Sequence, residues 1–150
     1  MSAHLFIAED ESPIITLLKY NLEKEGHKVS YSENGEDALK QIKDKHPDLI
    51  LMDWKLPDLS GVDICKNLKK DKKFKDIPII MVTAKGEEED KLKAFDTGAD
   101  DYVTKPFSQK ELNARIKSLL RRSKPQSSED VVVFSDLKID RITKRVYRKN

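Results

Sequence analysis

Asp48-Leu49-Ile50-Leu51-Met52-Asp53-Trp54-Lys55-Leu56-Pro57 runs an apolar stretch straight into a carboxylate, then into a short segment closed by proline. Leu49 to Met52 reads as a strand, and Asp53 stands just after its C-terminal end. Working outward, four more short apolar runs read the same way: Leu5 to Ala8, Val29 to Tyr31, Ile77 to Val82 and Asp101 to Val103. Between them the apolar period changes to that of a helix. Ile14, Leu18 and Leu22 follow a Ser12-Pro13 start, Ala38, Leu39 and Ile42 follow Asn34-Gly35, and Val62, Cys65 and Leu68 follow Ser60-Gly61. A fourth helix is predicted over 88–97, stopped by Gly98, and a fifth over 109–121, where Ser108 and Glu111 form a capping box ahead of Leu112, Ile116, Leu119 and Leu120.

Five alternating βα units imply an α/β fold, with a mainly parallel sheet, right-handed crossovers and helices on both faces. In such sheets a binding site lies outside the C-terminal ends of the strands. Three acidic side chains fall there, Glu9 and Asp10 after the first strand and Asp53 after the third. Close carboxylates repel by about 4 kcal/mol per pair at an effective dielectric near 20, so a compensating charge is required. A hard divalent cation with oxygen ligands meets that need, and Mg²⁺ is the expected ion. Thr83, after the fourth strand, offers a hydroxyl donor, and Lys105, followed by Pro106 after the fifth, offers a point charge. Both suit a phosphoryl oxygen, and a cis Lys105–Pro106 bond would aim the ammonium into the cleft. Taken singly, each residue has a plainer reading: an acidic pair at a helix start, a strand-end turn residue, a solvated lysine. All five at the strand ends of one sheet point to a site.

Composition narrows the class. The 150 residues suit one domain plus a remnant, with 37% hydrophobic and 37% charged residues and no apolar run near a membrane span. The start of the chain, Met1 to Ala8, lacks the pattern of a secretory signal, and the lone Cys65 excludes an internal disulfide framework, so a reducing cytoplasm is the expected compartment. Net charge is +2. From Ser123 onward seven Lys/Arg and four Asp/Glu leave the tail modestly basic, which permits a nucleic-acid partner without requiring one.

The pair Glu9-Asp10, the stretch Asp48 to Pro57, Val82-Thr83-Ala84 and the run Gly98-Ala-Asp-Asp-Tyr102-Val-Thr-Lys105-Pro106-Phe107 together resemble the response-regulator receiver domain, over residues 4 to 122. That resemblance implies a flavodoxin-like, doubly wound five-stranded parallel sheet of order 2-1-3-4-5. It makes Asp53 the phosphoacceptor, and Glu9, Asp10, Asp53 and the Lys55 backbone carbonyl the Mg²⁺ site. Thr83 and Lys105 become phosphoryl ligands, and Tyr102 a switch residue that moves inward behind Thr83. The implied donor is a sensor histidine kinase, and the acyl phosphate would add about −1.5 to −2 charges.

Asp53-Trp54, the run from Ala84 to Asp90 and Lys110-Glu111-Leu112 resemble the OmpR/PhoB type of transcription factor. The resemblance implies a two-fold dimer through the predicted fourth helix, fifth strand and fifth helix, pairing Lys91 with Glu111, Asp96 with Lys117 and Asp101 with Arg115. Residues 1–122 then form the receiver and 123–130 a linker. Residues 131–150, with short strands at Val131 to Phe134, Leu137 to Ile139 and Val146 to Tyr147, resemble the opening of a winged-helix domain. No recognition helix is found in them, so DNA would be read only by a longer parent protein. A stand-alone receiver acting through a protein partner is the alternative. A nucleotide-dependent enzyme on this fold is disfavoured because neither G-x-G-x-x-G nor G-x-x-x-x-G-K-[ST] occurs, and Lys55 stands where an aspartyl-phosphate phosphatase has a second Asp.

Overall fold

Successive strand residues point to opposite faces of a sheet. In the computed structural model, which describes residues 3–84 and 98–123, that alternation divides the apolar side chains into two layers. The strands are β1 (His4–Ala8), β2 (Lys28–Ser32), β3 (Leu49–Asp53), β4 (Ile79–Ala84) and β5 (Asp101–Lys105). They pair in parallel throughout, in the order β2-β1-β3-β4-β5. Among the described residues four helices accompany them: α1 (Ser12–Lys24), α2 (Gly35–Lys45), α3 (Gly61–Lys69) and α4 (Gln109–Ser123).

On one side Phe6, Ile50, Met52, Ile79 and Met81 pack with Ala38 and Ile42 of α2 and Ile64, Cys65 and Leu68 of α3. On the other, Leu5, Ile7, Leu49, Leu51, Ile80, Val82 and Val103 pack with Leu18 and Leu22 of α1 and Leu112, Ile116, Leu119 and Leu120 of α4. All five residues of β3 are buried. Truncating one such side chain to Ala costs about 2–5 kcal/mol, so the central strand is held hard from both faces.

Helix starts follow the local chemistry. Asn34 accepts from the Asp37 amide at 2.9 Å, Ser60 from the Asp63 amide at 3.1 Å and Ser108 from the Glu111 amide at 3.2 Å. α1 has no side-chain cap, and Pro13 serves its first turn instead. The capping box at α4 is made from the Ser108 side, whereas the Glu111 carboxylate accepts from Arg115 at 3.0 Å.

Several element boundaries differ from the sequence reading. β3 includes Asp53, β4 includes Thr83 and β5 includes Lys105, so these side chains belong to the sheet instead of the loops beyond it. The strand expected from Ile77 begins at Ile79, because the Ile77 amide turns back to the Phe74 carbonyl at 3.1 Å and Pro78 has no amide to donate. α4 continues to Ser123, past the expected Arg121. The helix expected over 88–97, with Lys91 and Asp96, lies outside the described residues, as do the linker beyond Ser123 and the strands expected over 131–150. Among the described residues no helix is long and apolar enough to cross a membrane.

Candidate functional site

With the order β2-β1-β3-β4-β5, connections leave β1 and β3 toward opposite faces, which opens a crevice at their C-terminal ends. β3 delivers Asp53 there, and the residues just after β1 deliver Glu9 and Asp10. Carboxylate oxygens of all three lie within 4.8 Å of one another. Glu9 and Asp53 are buried and Asp10 is exposed. β5 brings Lys105 across from the far side of β4: its Nζ lies 3.1 Å from Glu9 Oε1 and 3.8 Å from Asp53 Oδ2. The Lys105–Pro106 peptide is cis, as anticipated.

This arrangement leaves negative charge in excess. Burial, then the neighbouring Glu9 carboxylate, pushes Asp53 up to about 7, against the pull of Lys105. Burial also works against the Lys105 ammonium, but Asp53 and Glu9 outweigh it and raise its pKa. An oxygen-only cluster that strains one of its own carboxylates toward the neutral form fits a divalent cation, which would reverse the penalty. Glu9, Asp10 and Asp53 are the described side chains that could hold it.

The backbone behind these groups is fixed. The Glu9 amide donates to the Ser32 carbonyl at 3.1 Å, and the Trp54 amide to the Val82 carbonyl at 3.0 Å, which extends the β3–β4 pairing one residue past Asp53. The Lys55 amide donates to Asp53 Oδ1 at 3.3 Å. Thr83 is buried, and its hydroxyl donates to the Val103 carbonyl at 3.5 Å, a bond at the weak end of the range. Tyr102 on β5 is partly buried and packs against the α2–α3 side of the core.

Two residues in this region escape the sequence reading. Glu11, just past the acidic pair, reaches Lys105 Nζ with Oε2 at 3.2 Å; its signal was the unbroken run Glu9-Asp10-Glu11. Asp58 accepts from the Gly35 amide at 2.6 Å and the Glu36 amide at 3.0 Å. No local pattern announces it, since it caps a helix that lies earlier in the chain.

Of the residues expected at a dimer face, Asp101, Glu111 and Arg115 are joined within the one chain. Arg115 reaches Asp101 Oδ2 at 2.7 Å and Glu111 Oε2 at 3.0 Å. Lys117 is exposed on α4, two residues beyond Arg115.

A family model of the response regulator receiver domain matches residues 5–117. The chain is 42% identical over 150 residues to the phosphate regulon transcriptional regulatory protein PhoB of Rhizobium meliloti, covering 100% of this chain and 66% of that protein. Identity is 46% over 142 residues with PhoB of Pseudomonas aeruginosa, covering 95% and 62%. It is 45% over 148 residues with the alkaline phosphatase synthesis transcriptional regulatory protein PhoP of Bacillus subtilis, covering 93% and 61%. The chain therefore spans a little under two thirds of the length of these relatives. Among solved structures, the receiver domain of Francisella response regulator 1452 matches with a TM-score of 0.76 at 33% identity, over 81% of this chain and 99% of that one. The signal receiver domain of a histidine kinase from Syntrophus aciditrophicus matches at 0.78 and 30% identity, over 87% and 98%.

Proposed function

The chain belongs to the response regulator receiver domain family, and on that premise we propose that Asp53 accepts a phosphoryl group from a sensor histidine kinase in a Mg²⁺-dependent reaction. The observation that carries this reading is the Asp53 carboxylate, buried at the end of β3 in a cluster with Glu9 and Asp10 and within 3.8 Å of the Lys105 ammonium. Glu9, Asp10, Asp53 and the Lys55 backbone carbonyl are the proposed holders of Mg²⁺. When bound, the ion supplies positive charge that keeps Asp53 ionised and offsets the charge of an incoming phosphoryl group.

One Asp53 oxygen attacks phosphorus in line with the bond to the donor imidazole. The new O–P bond forms as the P–N bond breaks, and the imidazole leaves with its electron pair and takes up a proton. Lys105 gives up its contacts with Glu9 and Glu11 in favour of an equatorial phosphoryl oxygen, and Thr83 rotates from the Val103 carbonyl to donate to another. Tyr102 then moves inward behind it. Shifting a two-state element from 1:99 to 99:1 takes about 5.5 kcal/mol, a scale that a few charge-assisted hydrogen bonds can reach.

The output we propose is a homodimer through the predicted helix over 88–97, β5 and α4. In it Lys91 with Glu111, Asp96 with Lys117 and Asp101 with Arg115 pair across the two-fold axis. The longer parent protein then binds DNA as a transcription factor, with phosphate starvation as the stimulus. The PhoB and PhoP relatives support that output; no described residue reads DNA. Transfer of labelled phosphoryl from an autophosphorylated histidine kinase tests the chemistry: label should move to the wild-type chain and not to Asp53→Asn. Transfer that survives Asp53→Asn would overturn the assignment.

A further inference from the structure

Between β3 and α3 the chain makes a loop, residues 54–60, that contains Lys55. The loop is closed at its base by the Gly61 amide, which donates to the Trp54 carbonyl at 3.0 Å. Its far side is pressed against the start of α2, where a Cβ on Gly35 would fall far inside van der Waals contact with the Leu59 carbonyl oxygen. Asp58 makes the polar half of that junction. Its two carboxylate oxygens accept from the first two amides of α2, at 2.6 Å from Gly35 and 3.0 Å from Glu36. Asn34 takes the next, from Asp37. A carboxylate bridging two unpaired helix amides is a stronger tether than an ordinary cap, because charge, helix dipole and two-point geometry act together.

We propose that Asp58 is a positioning residue for Mg²⁺ binding: by fastening the loop to α2, it holds the Lys55 carbonyl at the rim of the Glu9–Asp10–Asp53 cluster. This rests on the reading of that cluster, with Lys55, as the metal site. A carbonyl is a ligand with no charge of its own, so its contribution depends on being held in place. A group bonded directly to a metal ligand is worth about 10–100-fold in metal affinity; Asp58 acts on the Lys55 carbonyl only through the loop, which sets its effect at the low end, about tenfold. An ordinary helix cap contributes to the stability of α2 and nothing to the metal.

Titration of the full chain with Mg²⁺ alone separates these roles, followed by calorimetry and by fluorescence of Trp54, the only tryptophan. Asp58→Ala should weaken Mg²⁺ binding about tenfold. Asp58→Asn, which keeps one accepting oxygen, should fall between it and wild type. Asn34→Ala removes a cap from the same helix without touching Asp58. It should lower the melting temperature while leaving Mg²⁺ affinity unchanged. Wild-type affinity in both Asp58 variants, or an equal loss in Asn34→Ala, overturns the positioning role and leaves the metal site standing. A wild-type chain that does not bind Mg²⁺, or binds it equally well as Asp53→Asn, overturns the metal site and the inference with it.

Discussion

Asp53 is the residue that the fold destabilises most visibly. It closes a strand buried at every position, beside Glu9 and 3.8 Å from a lysine already engaged by two other carboxylates. Burial and Glu9 together disfavour its ionised form. Removing the charge in the metal-free chain at pH 7.5 should therefore stabilise it. Asp53→Asn is expected to raise the melting temperature by roughly 3–10 °C, on the basis of about 2–4 °C per kcal/mol for a domain of this size. Mg²⁺ should raise the wild-type value and leave that of Asp53→Asn nearly unchanged. Thermal melts with and without chelator check both; a variant less stable than wild type would mean that the site tolerates the bare charge. The placement of Asp53, Glu9, Asp10, Thr83 and Lys105 at one end of the sheet was legible because Glu9, Asp53 and Thr83 directly follow apolar runs, with Asp10 next to Glu9 and Lys105 closing the last short strand. Asp58 was not, because its partners Gly35 and Glu36 lie earlier in the chain on a different helix.

At the scale of elements, periodicity carried most of the fold. The apolar positions of α1 to α4 and the alternation along β1 and β3 sort onto two sides as the pattern implied. Strand ends were less legible, since a ladder continues through polar residues whose amides still find carbonyl partners. Asp53, Thr83 and Lys105 gain from this, being fixed by the sheet. The opposite end of the sheet carries a polar junction that the sequence did not announce. His27, between α1 and β2, is buried, and its Nδ1 accepts from the Ala3 amide at 3.3 Å. Accepting requires an unprotonated Nδ1, and burial, the largest cause, lowers the His27 pKa below its usual 6.5. The unfolded chain then takes up a proton at higher pH than the folded one. The His27 contribution is whole above the unfolded pKa and is lost as pH falls from there toward the lower folded value. Urea denaturation at pH 7.5 and 5.5 should show a loss of stability on acidification that is smaller in His27→Gln. Equal losses would remove His27 from the account.

For the whole molecule, phosphorylation is expected to change the assembly state. Asp101 and Glu111 both engage Arg115 within one chain. A dimer that pairs Asp101 with Arg115 across its axis would therefore exchange partners without adding a pair. Exposed pairs contribute only about 0–1 kcal/mol each, so these ions would set register more than affinity. Light scattering after chromatography should give a monomer for the unphosphorylated chain and a dimer after treatment with an acyl-phosphate donor and Mg²⁺. Arg115→Ala should change the phosphorylated dimer little, whereas Arg115→Glu, which sets a third carboxylate beside Asp101 and Glu111, should shift it back toward monomer; a dimer insensitive to Arg115→Glu would place the interface elsewhere. All of this depends on chemistry at one carboxylate. The most direct test is the intact mass of the chain after incubation with a small acyl-phosphate donor, with and without Mg²⁺, beside Asp53→Asn. One phosphoryl adduct that requires Mg²⁺ and is absent from Asp53→Asn is expected; no adduct under any condition, or an adduct that persists in the variant, would rule out Asp53 as the phosphoacceptor.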